Sequence, residues 1–193
     1  MASNNGRSKL DGELKSLRDF FAYNTYVRKK YFKLISKLPK NVIGKNRGAS
    51  FPTIQDIFVH VLDVYRCWFL AYEKGTACNR WLHSYETGEL IPPELKGLSI
   101  AQIREIENEV DTHIESAMKI LKPQDLKGSF SYTLGTGRKK SVRTRNVGEM
   151  LWHLIEEELQ HRGELNALLW QDDIDPPVTS WYEWNRKQNN KKS

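Results

Sequence analysis

Residues 151–171 read LWHLIEEELQHRGELNALLWQ and predict one long amphipathic helix. Apolar residues recur there at steps of three and four, the period of a helix that buries one face. The positions that carry this pattern are Leu151, Ile155, Leu159, Leu165, Leu168 and Leu169.

A second, polar pattern runs along the same helix. His153, Glu157 and His161 are spaced four residues apart, so successive members lie roughly 6 Å apart on nearly one face. Two neighbours can bind one metal ion, whereas His153 and His161, about 12 Å apart along the axis, cannot share one. The pattern also fits a solvated acidic face. A pair of ligands is half a metal site, so a third must come from another helix.

Composition limits the class of protein. The 193 residues suffice for one domain with a core, and six tryptophans and eight tyrosines predict an aromatic core or interface. No run approaches 18 apolar residues, and the start MASNNGRSKLDG lacks the apolar centre of a signal peptide, so we expect no membrane span. Cys67 and Cys78 are too few and wrongly spaced for a disulfide framework or a zinc ribbon. We therefore expect a reduced, cytoplasmic protein.

The formal net charge of +6 does not by itself indicate a nucleic-acid partner. The excess lies mainly in GRKKSVRTR (137–145) and in NRKQNNKKS (185–193), and no base-stacking aromatic residues interleave with these charges. Basic segments at chain ends are commonly solvated tails. Nucleic acid is not an expected partner.

Helix-start signals divide the chain. Three segments with the apolar period of a helix are each preceded by a residue that can cap a helix, and a second polar residue follows that cap three positions later. The cap pairs are Thr53 with Asp56, Ser99 with Gln102, and Asn146 with Glu149. The long helices are predicted at 10–38, 53–74, 99–121 and 146–171, with a short helix at 79–85 in a long connection over 75–98. Alternation between 129 and 145 predicts a β-hairpin.

This order predicts an all-α fold: an up-down four-helix bundle with a long crossover between helices 2 and 3 and a small β-hairpin before the last helix. We expect residues 1–9 to be a disordered terminus, 10–184 to be one domain and 185–193 to be a basic disordered tail. The rings of Trp181, Tyr182 and Trp184 are expected to pack on the bundle or on a partner.

His60 is the one histidine that the pattern places inward on another long helix. On the residues alone, a buried histidine flanked by Asp56 and Asp63 is more often a hydrogen-bonded core residue than a ligand. Helix bundles, however, place metal sites between inward side chains of facing helices. Both interpretations of His60 stay open at this point.

Two segments resemble a known family. The run HLIEEELQHRGEL (153–165) resembles the last-helix signature of the DinB-like (DNA-damage-inducible) metal-binding bundles, in its EE-x-x-HRGE form. SFPTIQDIFVHVLDVYRCWF (50–69) resembles the second helix of the same family. The order of elements also fits, so the resemblance covers roughly residues 10–170.

The resemblance implies a metal site at His60, Glu157 and His161. The commonest family triad is three histidines, and Glu157 departs from it. Two imidazoles and one carboxylate suit a divalent ion, with zinc or nickel preferred over iron or manganese. Asp56 or Asp63 would support His60 by accepting its second N–H, and His153 would lie in the outer shell.

The resemblance implies two functions. In the first, three protein ligands leave positions open on a catalytic ion, which activates a small thiol for a transferase, isomerase or hydrolase-like reaction. In the second, the chain is a non-catalytic, dimeric metal-binding stress-response protein. The family analogy also implies a homodimer.

Overall fold

The computed structural model describes residues 2–190, most of them helical. Its seven α-helices are α1 (Ala2–Ile35), α2 (Lys40–Ile43), α3 (Ile54–Lys74), α4 (Asn79–Thr87), α5 (Ile100–Ile120), α6 (Val147–Gln171) and α7 (Trp181–Asn190). Two strands, β1 (Ser129–Leu134) and β2 (Ser141–Asn146), pair as an antiparallel hairpin between α5 and α6. The predicted all-α class with a small hairpin before the last long helix is therefore confirmed.

The predicted caps begin three of the long helices. The side chains of Thr53, Ser99 and Asn146 each accept a hydrogen bond from the backbone N–H three residues later. At Ser99 the bond is reciprocated, because Gln102 accepts from the Ser99 backbone N–H at 2.9 Å. Each cap satisfies a donor that the first helical turn leaves without a partner.

Four long helices surround one core. α1 and α3 each contact both α5 and α6. The largest side chains that are almost fully buried come from all four helices: Leu17, Phe21, Phe32, Ile35, Ile54, Ile57, Leu62, Tyr65, Phe69, Ile103, Leu151 and Leu154. This packing places the inward faces of α3 and α6 against each other.

The hairpin packs against the end of α3. Its register pairs Ser129 with Asn146 and Leu134 with Ser141. The chain leaves α3 through Gly75, whose φ of 65° is in the left-handed region that glycine tolerates. The Gly75 carbonyl then accepts a hydrogen bond from Thr133 in β1 at 2.9 Å. The hairpin is thereby fixed beside α3 and the start of α6.

The chain ends differ from the expected disorder. α1 begins at Ala2, so residues 2–9 are helical, because an established helix gains one backbone hydrogen bond per added residue. α7 covers residues 185–190 of the expected tail, while Met1 and 191–193 lie outside the described residues. Among the tail aromatics, Trp181 stacks on Phe20 at 4.5 Å and Trp184 is buried, as expected, but Tyr182 is exposed.

No described helix combines the length and the apolar character that crossing a bilayer requires.

A buried ionic network links α1 to α6. The Arg28 guanidinium donates to Glu158 at 2.5 Å and to Asp111 at 2.7 Å, and only 1% of the Arg28 side chain is exposed. The Tyr65 hydroxyl, on α3, donates to the same Glu158 oxygen at 2.7 Å. Breaking one side of such a buried pair leaves an uncompensated charge away from water.

Replacing Arg28 with methionine is expected to destabilise the fold by about 3–5 kcal/mol, because Glu158 would remain as a buried charge without its cation. The double change Arg28→Met with Glu158→Leu should recover part of that loss, since it removes the unpaired carboxylate and Lys29 still pairs with Asp111, although the Tyr65 hydroxyl loses its acceptor. Urea unfolding measures both free energies. A double variant no more stable than the single one would contradict this account.

Candidate metal centre

Three side chains converge between α3 and α6. His60 comes from α3, and Glu157 and His161 lie one turn apart on α6. Each offers one ligand atom, and these three atoms all lie within 4.8 Å of one another. The two Nε2 atoms flank one carboxylate oxygen: Glu157 Oε2 is 3.5 Å from His60 and 3.4 Å from His161. The structure thus brings together the three residues that the sequence indicated as ligands.

His60 is a buried, neutral imidazole. Burial lowers its pKa to about 4, although Glu157 acts in the opposite direction. Phe51 stacks on its ring at 4.1 Å. Its Nδ1 atom is buried and has no hydrogen-bond partner among the described residues. The imidazole is therefore positioned by packing and presents Nε2 to the cluster.

The expected support of His60 by Asp56 or Asp63 is not found. The Asp56 carboxylate accepts from the Thr53 hydroxyl at 2.8 Å, where it belongs to the cap of α3. Asp63 accepts from Nε of Arg80 at 2.8 Å, so a guanidinium occupies it instead. Both residues lie within about one helical turn of His60 in sequence, but their carboxylates accept hydrogen bonds from Thr53 and Arg80 instead of from the imidazole.

His161 has the supporting carboxylate that His60 lacks. Its Nδ1 is 3.0 Å from Glu164 Oε2, and Ser50 donates to Glu164 through its backbone N–H at 2.8 Å and its hydroxyl at 2.7 Å. Burial by itself lowers the pKa of His161, but Glu157 and Glu164 outweigh it and raise that pKa. Glu164 lies three residues after His161, so the sequence could indicate this contact. Ser50 lies 114 residues from Glu164, and no local pattern in the sequence indicates that the two residues meet.

His153 lies at the edge of the cluster, outside the three converging atoms. Its Nε2 is 3.5 Å from the other Glu157 oxygen, and its ring contacts the edge of Trp68 at 5.4 Å. With 37% of its side chain exposed, it faces the neighbouring cleft. An outer-shell role for His153 stays a prediction.

The donor set fits a divalent cation. The two neighbouring imidazoles, His161 first, hold the pKa of Glu157 well below its usual range, so this residue is an anion. The two N–O distances of 3.4 and 3.5 Å are longer than good hydrogen bonds, which run roughly 2.7–3.2 Å. Two imidazoles and a carboxylate that converge on one point, yet are not hydrogen-bonded to one another at good distances, are a ligand set that suits zinc, nickel, iron or manganese.

A cleft of about 670 Å³ opens beside the cluster. His60, Glu157 and His153 form one side of it. Further lining residues come from α3, α4 and the hairpin: Trp68, Arg80, Trp81, Tyr85, Tyr132 and Arg145. Sequence reasoning left α4 without a functional role, although it supplies one wall.

A disulfide between Cys67 and Cys78 anchors that wall. The expectation of reduced cysteines is therefore wrong for this structure. Gly75 reverses the chain after α3 and brings the two Cα atoms within 5.0 Å, a separation that a disulfide can span. Cys78 also caps α4, so the bond fixes the first turn of α4 to the middle of α3.

Replacing both cysteines with serine is expected to lower the free energy of unfolding by about 3 kcal/mol, because a cross-link over 11 residues restricts the unfolded chain. A reductant should produce a similar loss in the wild type and none in the double variant. Thermal unfolding with and without dithiothreitol tests this. An identical response of both proteins to reductant would argue against the bond.

Comparisons with known proteins agree with this architecture. A family model described as "DinB family" matches residues 8–191. The solved structure of a DinB-like protein from Bacillus cereus ATCC 10987 superposes with a TM-score of 0.56 at 18% identity, covering 88% of this chain and 97% of that one. At that identity the likeness concerns the fold alone. No curated protein matches the sequence. Because the family model spans nearly the whole chain, this protein belongs to the DinB family.

Proposed function

We propose that the protein is a divalent-metal-dependent enzyme that activates a small thiol for a transferase or isomerase reaction. His60, Glu157 and His161 would hold the ion. The observation that carries the proposal is the convergence of three ligand atoms within 4.8 Å at the wall of an open cleft. Three protein ligands leave room for a further molecule at the ion.

The chemistry of such a site is straightforward. A bound divalent ion supplies a positive charge that lowers the pKa of a thiol or water molecule beside it. The proton then needs an acceptor. His153 is half-exposed in the same cleft and lies next to the Glu157 carboxylate, so it is the imidazole best placed to accept it.

The ligand types favour zinc or nickel, with iron or manganese as further candidates. The Glu164 carboxylate and its bonds to Ser50 support a ligand role for His161, because a carboxylate on Nδ1 holds the ring with Nε2 toward the ion. His60 lacks such a partner and depends on the Phe51 ring for its orientation.

The proposal also covers the topology of the helices, the oligomeric state and the cellular location. The ring of contacts among α1, α5, α3 and α6 supports an up-down four-helix bundle. We also propose a homodimer, in which the exposed apolar side chains of Trp170, Val178 and Tyr182 would be covered. We also propose a cytoplasmic location. There, cellular thiols would act on the Cys67–Cys78 disulfide, since such bonds are rarely permanent in that compartment.

Metal analysis tests the ligand set. Purified protein replenished with zinc or nickel is expected to retain about one ion per chain, and Glu157→Ala or His161→Ala should abolish that retention by removing a ligand. Matched controls are Glu156→Ala and His113→Ala, which alter an exposed glutamate and a partly buried histidine outside the cluster. Inductively coupled plasma analysis gives the stoichiometry.

Wild-type protein that retains no stoichiometric divalent ion would remove the basis of the proposal. If the ion binds but a small thiol leaves the absorption spectrum of the cobalt-substituted protein unchanged, the non-catalytic metal-binding function replaces the enzymatic one.

The supporting carboxylate gives a separate prediction. Glu164→Gln is expected to weaken metal affinity by roughly 10–100-fold while leaving the stoichiometry at saturation unchanged, because it loosens the His161 ring without removing a ligand. Competition with a chromophoric chelator measures the affinity. Glu156→Gln serves as the control, and an equal effect of both changes would contradict a specific role for Glu164.

A further inference from the structure

The cleft beside the metal cluster contains a fixed cation that the proposed chemistry does not use. Arg80, at the start of α4, lines the cleft, and only 11% of its side chain is exposed. Its Nε donates to Asp63 at 2.8 Å. The disulfide at Cys78, two residues earlier, ties this turn of α4 to α3. Arg80 is therefore held in place before any ligand arrives.

The Nη groups of this guanidinium have no partner among the described residues. Within residues 2–190, no hydrogen bond from either Nη atom is found. Two amino groups in a planar fork match the two oxygens of a carboxylate.

The adjoining wall is aromatic, and its rings are inclined to one another. Trp81 contacts Trp68 edge to face at 4.7 Å and lies 5.2 Å from Tyr132. All three rings line the cleft. Such a wall favours a planar apolar body, which can stack on or pack edge-on against the rings.

The remaining charges in the cleft do not favour a cationic ligand. Glu157 belongs to the metal cluster, where its charge is taken up by the histidines or by an ion. Arg145 and Glu149 are both exposed at the rim and offset each other. Arg80 is then the buried cation that lines the cleft, with Asp63 paired to its Nε.

We infer that the cleft takes a small aromatic carboxylate, with its carboxylate on Arg80 and its ring against Trp81 and Tyr132. This inference rests on the proposed function for the role of that molecule as the substrate beside the metal. Arg80 is then a specificity-determining residue: it selects acids over neutral analogues of the same shape.

Binding of three small probes tests the inference. Benzoate, benzamide and cyclohexanecarboxylate are titrated into metal-free and zinc-loaded protein, and quenching of tryptophan fluorescence is followed, since Trp68 and Trp81 line the cleft. We expect benzoate to bind at least roughly tenfold tighter than benzamide, the factor that one charge-assisted pair supplies. Cyclohexanecarboxylate should bind more weakly than benzoate, because it lacks a flat ring.

Variants assign the preference to one residue. Arg80→Gln should abolish the advantage of benzoate over benzamide, Arg80→Lys should keep part of it, and Arg186→Gln, an exposed arginine on α7, should change nothing. Circular dichroism checks that each variant is folded. If Arg80→Gln does not fold, the lysine variant and the wild-type probe series still decide the question.

Three results would overturn the inference: equal binding of benzoate and benzamide to the wild type, a folded Arg80→Gln protein that keeps the preference, or a preference that requires zinc and is indifferent to Arg80. Zinc stoichiometry is measured on the same samples. Protein that binds no zinc but selects benzoate through Arg80 would refute the proposed enzyme and leave this anion site intact.

Discussion

The buried ion pair between Arg28 and Glu158 fixes the rotation of α6, on which the candidate site depends. Neighbouring residues of a helix point about 100° apart, so a Glu158 side chain held toward α1 turns Glu157 toward α3. One turn later the same relation holds, with Arg162 over an aromatic ring of α1 and His161 facing α3. Rotating α6 to pack its apolar residues differently would bury Glu158 without its cation, which is costly. The charged pair therefore selects the rotation that assembles the three ligand atoms.

Local chemistry allowed most of the helices to be predicted from the sequence. Thr53, Ser99 and Asn146 cap helices where the spacing indicated, because each cap depends only on residues within one turn. The pairing of Glu157 with His161 likewise follows from helical geometry alone. The choice of His60 as the third member came from the resemblance to a family and from its inward position, not from any local signal.

What could not be predicted depends on contacts between distant segments. The disulfide requires the left-handed turn at Gly75 to bring Cys67 and Cys78 together, and composition alone indicated the opposite. Ser50 reaches Glu164 across 114 residues, and Arg80 diverts Asp63 from the histidine it was expected to support. In each case the partner comes from a segment that only the folded chain brings close. Sequence spacing carries no information about such contacts.

The attachment of α4 has an evolutionary consequence. The candidate ligands lie on α3 and α6, which the core requires, whereas Arg80 and Trp81 lie on a connecting segment secured mainly by one covalent bond and the hairpin. Substitutions or insertions in that segment can reshape the wall of the cleft without disturbing the three candidate ligands. A lineage built on this scaffold is thus free to vary the shape of the cleft while it retains the candidate ligands.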